Sequence, residues 1–427
     1  MSEDLIAAVS QLMALGTGRK VAQGESRKTS LNRFKLDFKN IRPGEMQQNI
    51  EIATVTSLMR RAFEDWADDQ QLESGSFAVL RRGNVAGVAS YGGESARSRN
   101  EFASCSKLIT GLAVAQLVRA GKLGWDTTME QVFGRFFRIG LRHLREIIQL
   151  REPRVIDILS RYTVDERQVG KQKVFDVKAK QVAGKLLPLS HVVPVLVAFP
   201  AWFRNLTVTQ VMTHTSGIRG DLGEGNPYDI SIDDRFALIV FSQQAAMTYS
   251  YENNNMLVLG KVVEQLTAQG FREAVLDLVM KPLGITDFDT DNRGPYAGCW
   301  LSTANYAKMM RYLDQDLELM GAFGPASWPM VSGYSIGTHM SRSVGSYETS
   351  HSGAWTWGDS TRNVSYGANQ QYWHDVRTGY FVRFARLGAD TWTLNNRLRA
   401  IAIDPNIPSF DLLEILDVLK KASGGGS

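Results

Sequence analysis

Strand-prone runs lie near both ends of this 427-residue chain, in SFAVLRRGNVAGVASYG from Ser76 and in YFVRFARL from Tyr380, and the stretch between them, about 112–285, reads mainly as helix. A single core then requires strands from the two ends to pair in one sheet, which leaves the middle as a mostly helical lobe. The fold class expected is α/β, a sheet with helices packed on it, and clefts beside such lobes commonly hold ligands. Ile52, Val55, Leu58, Met59, Ala62 and Phe63 recur at helical spacing, and Arg82-Gly83-Asn84 signals a hairpin. Leu108 to Ala120 is a strong helix with Gly121 placed to stop it. Further helices are expected at 207–214, 256–267, 302–313 and 410–421.

Several function classes drop out. Hydrophobic residues are 44% and charged residues 22%, which is the composition of a folded globular protein and not of a fibre or a disordered tail. Cys105 and Cys299 are too few for a disulfide framework, and six scattered histidines show no paired metal-ligand spacing. No metal or other cofactor is expected. No apolar run approaches the roughly 20 residues that cross a bilayer. The N-terminus carries Glu3 and Asp4 where a secretory signal would be positive, so the expected location is cytoplasmic. A net charge of +4 is too mild to argue for nucleic acid. We read 1–49 as an N-terminal extension, 50–422 as the main domain and 423–427 as a flexible tail.

Two short patterns could carry chemistry. Ser104-Cys105-Ser106-Lys107 is an S-x-x-K, of which on the order of one or two copies arise by chance in a chain this long. Its place at the start of the Leu108–Ala120 helix is more telling. Unpaired N–H groups there favour a serine alkoxide, and a residue three positions on lies on the same face. A lysine removed from water can then act as a base near neutrality. The bland reading is an N-cap serine followed by a solvated lysine. Tyr251-Glu252-Asn253, ahead of a second apolar helix, could supply a phenol that shuttles protons and an amide that holds Lys107 or a substrate. It could equally be a half-buried aromatic followed by capping asparagines.

Read together, these segments are specific. Ser104-x-Ser106-Lys107-x-x-Thr110-Gly111, LVRAGKLGWD from Leu117, LTVTQVMTHTSGI from Leu206, Tyr251-x-Asn253 and KPLGITDF from Lys281 stand in one order. That order resembles the serine hydrolases of the class C β-lactamase and penicillin-binding-protein type, which include esterases, D-aminopeptidases, transesterases and 6-aminohexanoate-dimer hydrolases. The resemblance runs from about Ile50 to the C-terminal helix with one insertion. It implies a β-lactamase-like sandwich, with a central antiparallel sheet flanked by helices plus the helical lobe. It also implies Ser104 as nucleophile, Lys107 as its general base, Tyr251 as proton relay, and His214 in a structural turn and not in a triad.

The resemblance further implies a triplet on the sheet strand lining the site, followed by a residue whose N–H serves the oxyanion hole. His351-Ser352-Gly353-Ala354 matches by letters but stands about 25 residues ahead of the hairpin turn near Val376. Tyr366 to Trp373, resembling a Gly-x-x-Gly-Gln-x-x-Trp form, stands at the expected distance and is preferred, with Gly367 and Ala368 beside the oxyanion and Ala368 N–H as donor. Neither option brings the lysine that holds a β-lactam carboxylate, which puts antibiotic hydrolysis in doubt. The activity expected is acyl-enzyme hydrolysis of a small-molecule ester or amide. Acyl transfer on the same scaffold, or a silent binding or membrane-associated module, are the alternatives.

The insertion, about 127–205, is basic. From Phe133 to Asn205 there are 14 Lys or Arg against 6 Asp or Glu, a net +8 that leaves −4 for the rest of the chain. Phe136, Phe137, Leu141, Leu144, Ile147 and Ile148 can share one side of a helix edged by Arg138, Arg142 and Arg145. Such a helix suits a membrane surface or an acidic partner, or is simply a solvated face.

Overall fold

The computed structural model describes residues 43–139, 162–169, 172–179, 195–219, 232–241, 244–314, 319–358, 363–386 and 388–404. The chain forms two compact units, one from residues 1–105, 300–326 and 340–427, the other from 106–299 and 327–339. Strands β1 (Gly75–Arg81), β2 (Asn84–Tyr91), β3 (Tyr334–Ser335), β4 (Thr338–Ser343), β5 (Ser346–Gly358), β6 (Asn363–Trp373) and β7 (Thr378–Phe384) make an antiparallel sheet in the order β3-β4-β5-β6-β7-β1-β2. Strands from both ends of the chain therefore pair, β1 against β7 with Phe77 opposite Val382.

In the first unit β1 is buried at every position. On one face lie helices α1 (Pro43–Asp69) and α7 (Thr391–Ile403). Ile52, Val55, Met59, Phe63 and Trp66 of α1 fall three or four residues apart, so one stripe meets Phe77, Val79, Val382 and Phe384, while Leu394 and Leu398 of α7 close the layer. Phe63 stacks on Phe77 at 5.0 Å, and each such side chain removed from water contributes about 1.5–3 kcal/mol. The opposite face carries Phe102, Phe381 and Tyr306, the last from α6 (Thr303–Met309), with Tyr306 stacked on Phe381 at 3.8 Å. Arg82 and Gly83, both at positive φ, turn β1 into β2 as the hairpin signal requires.

The second unit is built on α2 (Ser106–Arg119) and α5 (Asn253–Thr267), whose Val, Leu and Met side chains are buried. α3 (Val208–Met212) opens on a capping box from Thr207 and Gln210, and α4 (Ile232–Phe241) packs Phe236 near Phe133 and Phe203. The sequence places the start of an amphipathic helix at Phe136, but Phe136–Ile139 is a strand paired with Val195–Ala198. Gly134, at φ 77, stops the preceding helix, and the aromatic pair that follows finds a β-branched partner. A second hairpin, Tyr162–Val169 with Gln172–Ala179, lies further along the insertion, so this part of the lobe is not helical. The remainder of the expected basic helix, most of the N-terminal extension, the 410–421 helix and the 423–427 tail lie outside the described residues. Among the described residues no helix is long and apolar enough to cross a membrane.

Candidate active site

Ser104 sits in a 3-10 turn, Ala103–Cys105, that leads directly into α2, so the S-x-x-K spans the end of one unit and the beginning of the other along the chain. The turn is held tightly. Phe102 packs edge-on against Tyr306 at 4.9 Å and Phe381 at 5.7 Å, the Cys105 N–H donates to the Phe102 carbonyl, and Tyr306 Oη donates to the Cys105 carbonyl at 2.9 Å. Cys105 Sγ donates weakly to the His351 carbonyl at 3.6 Å. Ala103 has φ 47, a left-handed conformation that costs a side-chain-bearing residue of order 1–3 kcal/mol and clusters at functional sites.

The strand against this turn is β5. A Cβ built on Gly353 would stand 2.4 Å from the Phe102 carbonyl oxygen, 3.2 Å from Ser104 N and 3.3 Å from the Ala103 Cβ. Only glycine lets the strand come this close. Ala368 pairs with Gly353 in register but lies one strand further on, with β7 on its other side, where it pairs with Arg383. Gly367 faces the Phe384 ring, which a Cβ would meet at 2.3 Å. The sequence preference for 366–373 rests on a single strand leading into the last hairpin. The structure has two strand pairs there: β5 runs antiparallel to β6, and β6 turns at 374–377 into β7, so His351-Ser352-Gly353 is on a strand after all.

In the second unit every marked position of S-x-S-K-x-x-T-G that belongs to α2 has a partner. The Cys299 N–H donates to Ser106 Oγ at 3.2 Å, Lys107 Nζ donates to the Tyr296 carbonyl at 3.0 Å, and Thr110 Oγ1 donates to the Pro295 carbonyl at 2.7 Å. Gly111 abuts the Ile336 backbone, and Gly337, at φ 76, abuts the Lys107 carbonyl. Lys107 is 0% exposed, and its Nζ lies 4.9 Å from the centroid of the Tyr251 ring. Tyr251 is 37% exposed. The structure thus brings Lys107 and Tyr251 together, a long-range juxtaposition that spacing alone left open.

Tyr251 stands in an aromatic cluster. The His214 ring stacks on it at 4.9 Å and meets Tyr334 edge-on at 4.6 Å, and His339 lies near-parallel to it at 6.5 Å. The Ser250 N–H donates to the His214 carbonyl at 2.9 Å, and the Glu252 N–H donates to His214 Nδ1 at 2.9 Å. Asn255 Nδ2 lies 3.1 Å from the same Nδ1, while Ser216 Oγ donates to Asn255 Oδ1 at 2.6 Å and Asn254 Nδ2 to the Arg219 carbonyl at 2.6 Å. The asparagines therefore tie α5 to the 214–219 turn instead of capping the helix, and the N-cap Glu252 makes no side-chain cap bond. Burial, the Lys107 charge and His339 push the His214 imidazole down to about 3, and burial lowers His339 as well. Asn253 Oδ1 is buried without a hydrogen-bond partner among the described residues, the condition of an acceptor set aside for a ligand.

Two contributions escaped the sequence reading. One is the 290–299 loop, which presents the Pro295 and Tyr296 carbonyls and the Cys299 N–H to α2, its glycines 294 and 298 packed against Thr290 and Asp291. Main-chain groups leave no residue signature, though the Gly-rich run RGPYAG hinted at close approach. The other is Tyr334 and His339, which flank a two-residue turn of β3 and β4.

The sequence profile of the family described as Beta-lactamase matches residues 59–382. No curated protein matches the chain by sequence. Among solved structures, a β-lactamase/D-alanine carboxypeptidase from Pseudomonas syringae aligns with TM-score 0.53 at 11% identity, covering 83% of this chain and 99% of that one. SurE with D-Leu aligns with TM-score 0.52 at 15% identity over 84% and 76% of the two chains. A D-amino acid amidase from Ochrobactrum anthropi SV3 aligns with TM-score 0.50 at 10% identity over 82% and 99%. At these identities the likeness is one of fold.

Proposed function

The chain belongs to the Beta-lactamase family, and from that premise we propose that it is a serine hydrolase that forms an acyl-enzyme on Ser104 and cleaves a small-molecule ester or amide. The observation that carries this reading is the pairing of a fully buried Lys107 Nζ with the Tyr251 ring, 4.9 Å apart, three residues along the chain from a serine in a strained turn. A lysine kept from water and set beside a phenol is expensive to bury without a task.

In the proposed cycle Ser104 Oγ attacks the substrate carbonyl carbon while its proton passes to Lys107 and Tyr251. The carbonyl oxygen becomes the tetrahedral oxyanion and is held by main-chain N–H groups, a term worth roughly 3–4 kcal/mol per donor lost. One donor is Ser104 N–H. The second is assigned to β5, on Ala354 after the His351-Ser352-Gly353 triplet, because Gly353 is the strand position that meets the Ser104 turn. Collapse expels the alkoxide or amine, which takes a proton from Tyr251. Water then adds to the acyl carbon, and Ser104 leaves with its proton restored. Asn253 supplies an amide for the substrate.

A fluorophosphonate probe tests this reading. The wild-type chain should be labelled at Ser104 and Ser104→Ala should not; a wild-type chain that is folded yet unlabelled, and inert towards p-nitrophenyl esters of graded length, p-nitroanilides and a β-lactam chromophore, would sink it. Within that panel, ester against anilide turnover separates esterase from amidase. Product captured by an added alcohol separates transfer from hydrolysis.

A further inference from the structure

His214 is held in place more elaborately than a turn residue needs. Its φ of 58 is left-handed, which a residue with a Cβ adopts at a cost. That conformation puts the two ends of one residue on either side of Tyr251: the main-chain carbonyl takes the N–H of Ser250, and ring Nδ1 takes the N–H of Glu252. Between these anchors the imidazole lies on the Tyr251 ring at 4.9 Å with 26° between planes. Resting on the reading above, we propose that His214 is the positioning residue that fixes the Tyr251 phenol for proton transfer, acting as a neutral clamp and not as an acid or base.

The protonation state follows from the partners. A backbone N–H can only donate, so Nδ1 must be the bare nitrogen and the proton sits on Nε2. Nε2 is buried without a hydrogen-bond partner among the described residues, so the ring has no outlet through which to pass a proton. Protonating Nδ1 would set two N–H groups head to head beside the Lys107 charge. Among the described residues, the groups packed on the ring are Lys107 from α2, Tyr249 and Tyr251 from the preceding loop, Tyr334 and His339 from the β3–β4 hairpin and Asn255 from α5, while the Glu252 carboxylate accepts from Ser250 Oγ. None of the groups packed on the ring is a carboxylate that would favour the cation. A charged ring here would also repel Lys107, the group that shares Tyr251.

Two substitutions separate the clamp's parts. His214→Phe keeps a ring on Tyr251 and removes the acceptor. His214→Asn keeps an acceptor for the Glu252 N–H, tolerates the left-handed backbone and removes the ring. With active sites counted by fluorophosphonate, His214→Phe should lower kcat per titrated site about 10- to 100-fold, the scale of a displaced catalytic group, with KM within about threefold. His214→Asn should recover several-fold of that loss. In a Tyr251→Phe background His214→Phe should add less than about twofold, because both changes remove one function. A role in stability alone would lower the melting temperature and the number of titrated sites but leave kcat per site intact, and that result, or full additivity with Tyr251→Phe, overturns the inference while leaving the hydrolase reading in place. If His214→Phe does not fold, an unchanged kcat in His214→Asn overturns it. If the wild-type chain proves unlabelled, the hydrolase reading fails by itself. The clamp is then judged by the Tyr251 phenol carbon resonance, which should shift and broaden in both variants and would refute the clamp by staying put.

Discussion

Around Ser104 the chain is fixed by shape: a left-handed Ala103, rings of Phe102, Tyr306 and Phe381, and a β-strand whose Gly353 leaves no room for a methyl group. Around Tyr251 it is fixed by donors and acceptors, with His214, Ser216, Asn254 and Asn255 each satisfying a named partner. Steric fixing is insensitive to pH and intolerant of volume. Polar fixing tolerates isosteres but depends on which nitrogen carries a proton. The proposed nucleophile needs a fixed location and the proposed proton relay a defined partner, and the two kinds of fixing suit those roles.

That contrast can be broken in four places. The largest effect is expected at Lys107, which belongs to the polar region. Lys107→Met keeps the volume and removes the amine, so kcat/KM for an ester should fall about 10³-fold, within the usual range for a lost general base, while the urea midpoint holds or rises. A variant that merely unfolds would show the lysine to be structural. Next is Gly353→Ala, which pushes the Phe102 carbonyl and the Ser104 turn aside. A loss of about 10²-fold in acylation rate, nearly independent of pH, is expected, and wild-type acylation would mean that β5 can retreat at no cost.

The third test is acid. His214 titrates at about 3 when folded and near 6.5 when unfolded. Between those values the unfolded chain binds the extra proton, so stability is full above about 6.5 and falls as pH drops, by at most about 1.4 kcal/mol per unit. His339, also lowered by burial, contributes with the same sign, so the measure is the difference between wild type and His214→Asn in urea midpoints from about pH 4 to 7. The variant should show the shallower slope; equal slopes would remove the neutral imidazole from the comparison. The smallest effect belongs to Tyr306→Phe, which loses one hydrogen bond to the Cys105 carbonyl. It should cost about 1 kcal/mol in thermal or urea unfolding and leave kcat nearly unchanged, since packing and not that bond sets the turn.

Local periodicity made α2, α5 and the β1–β2 hairpin legible, and ordered motifs singled out Ser104, Lys107 and Tyr251, the last two of which the structure brings together. What escaped is non-local. The Gly-rich and aromatic segments after 313 have strand character, but Gly353 and Gly367, poor β-formers kept there by what they approach, hide how far the two strands run and which of them meets the Ser104 turn. Phe136 and Phe137 fit either helix or strand until Val195–Ala198 is known to lie beside them. The left-handed backbone at His214 and Ala103 has no signature either, since both residues ordinarily avoid it.

The two thiols of the chain are buried, Cys105 in the serine turn of the first unit and Cys299 on the loop that faces α2 in the second. Each is thus a stopwatch wired to a different region. Alkylation of a sealed thiol proceeds only during transient opening, so its rate, followed separately by peptide mass, reads how often each neighbourhood breathes without any substrate in hand. A ligand that quiets one thiol and not the other would reveal which neighbourhood it grips.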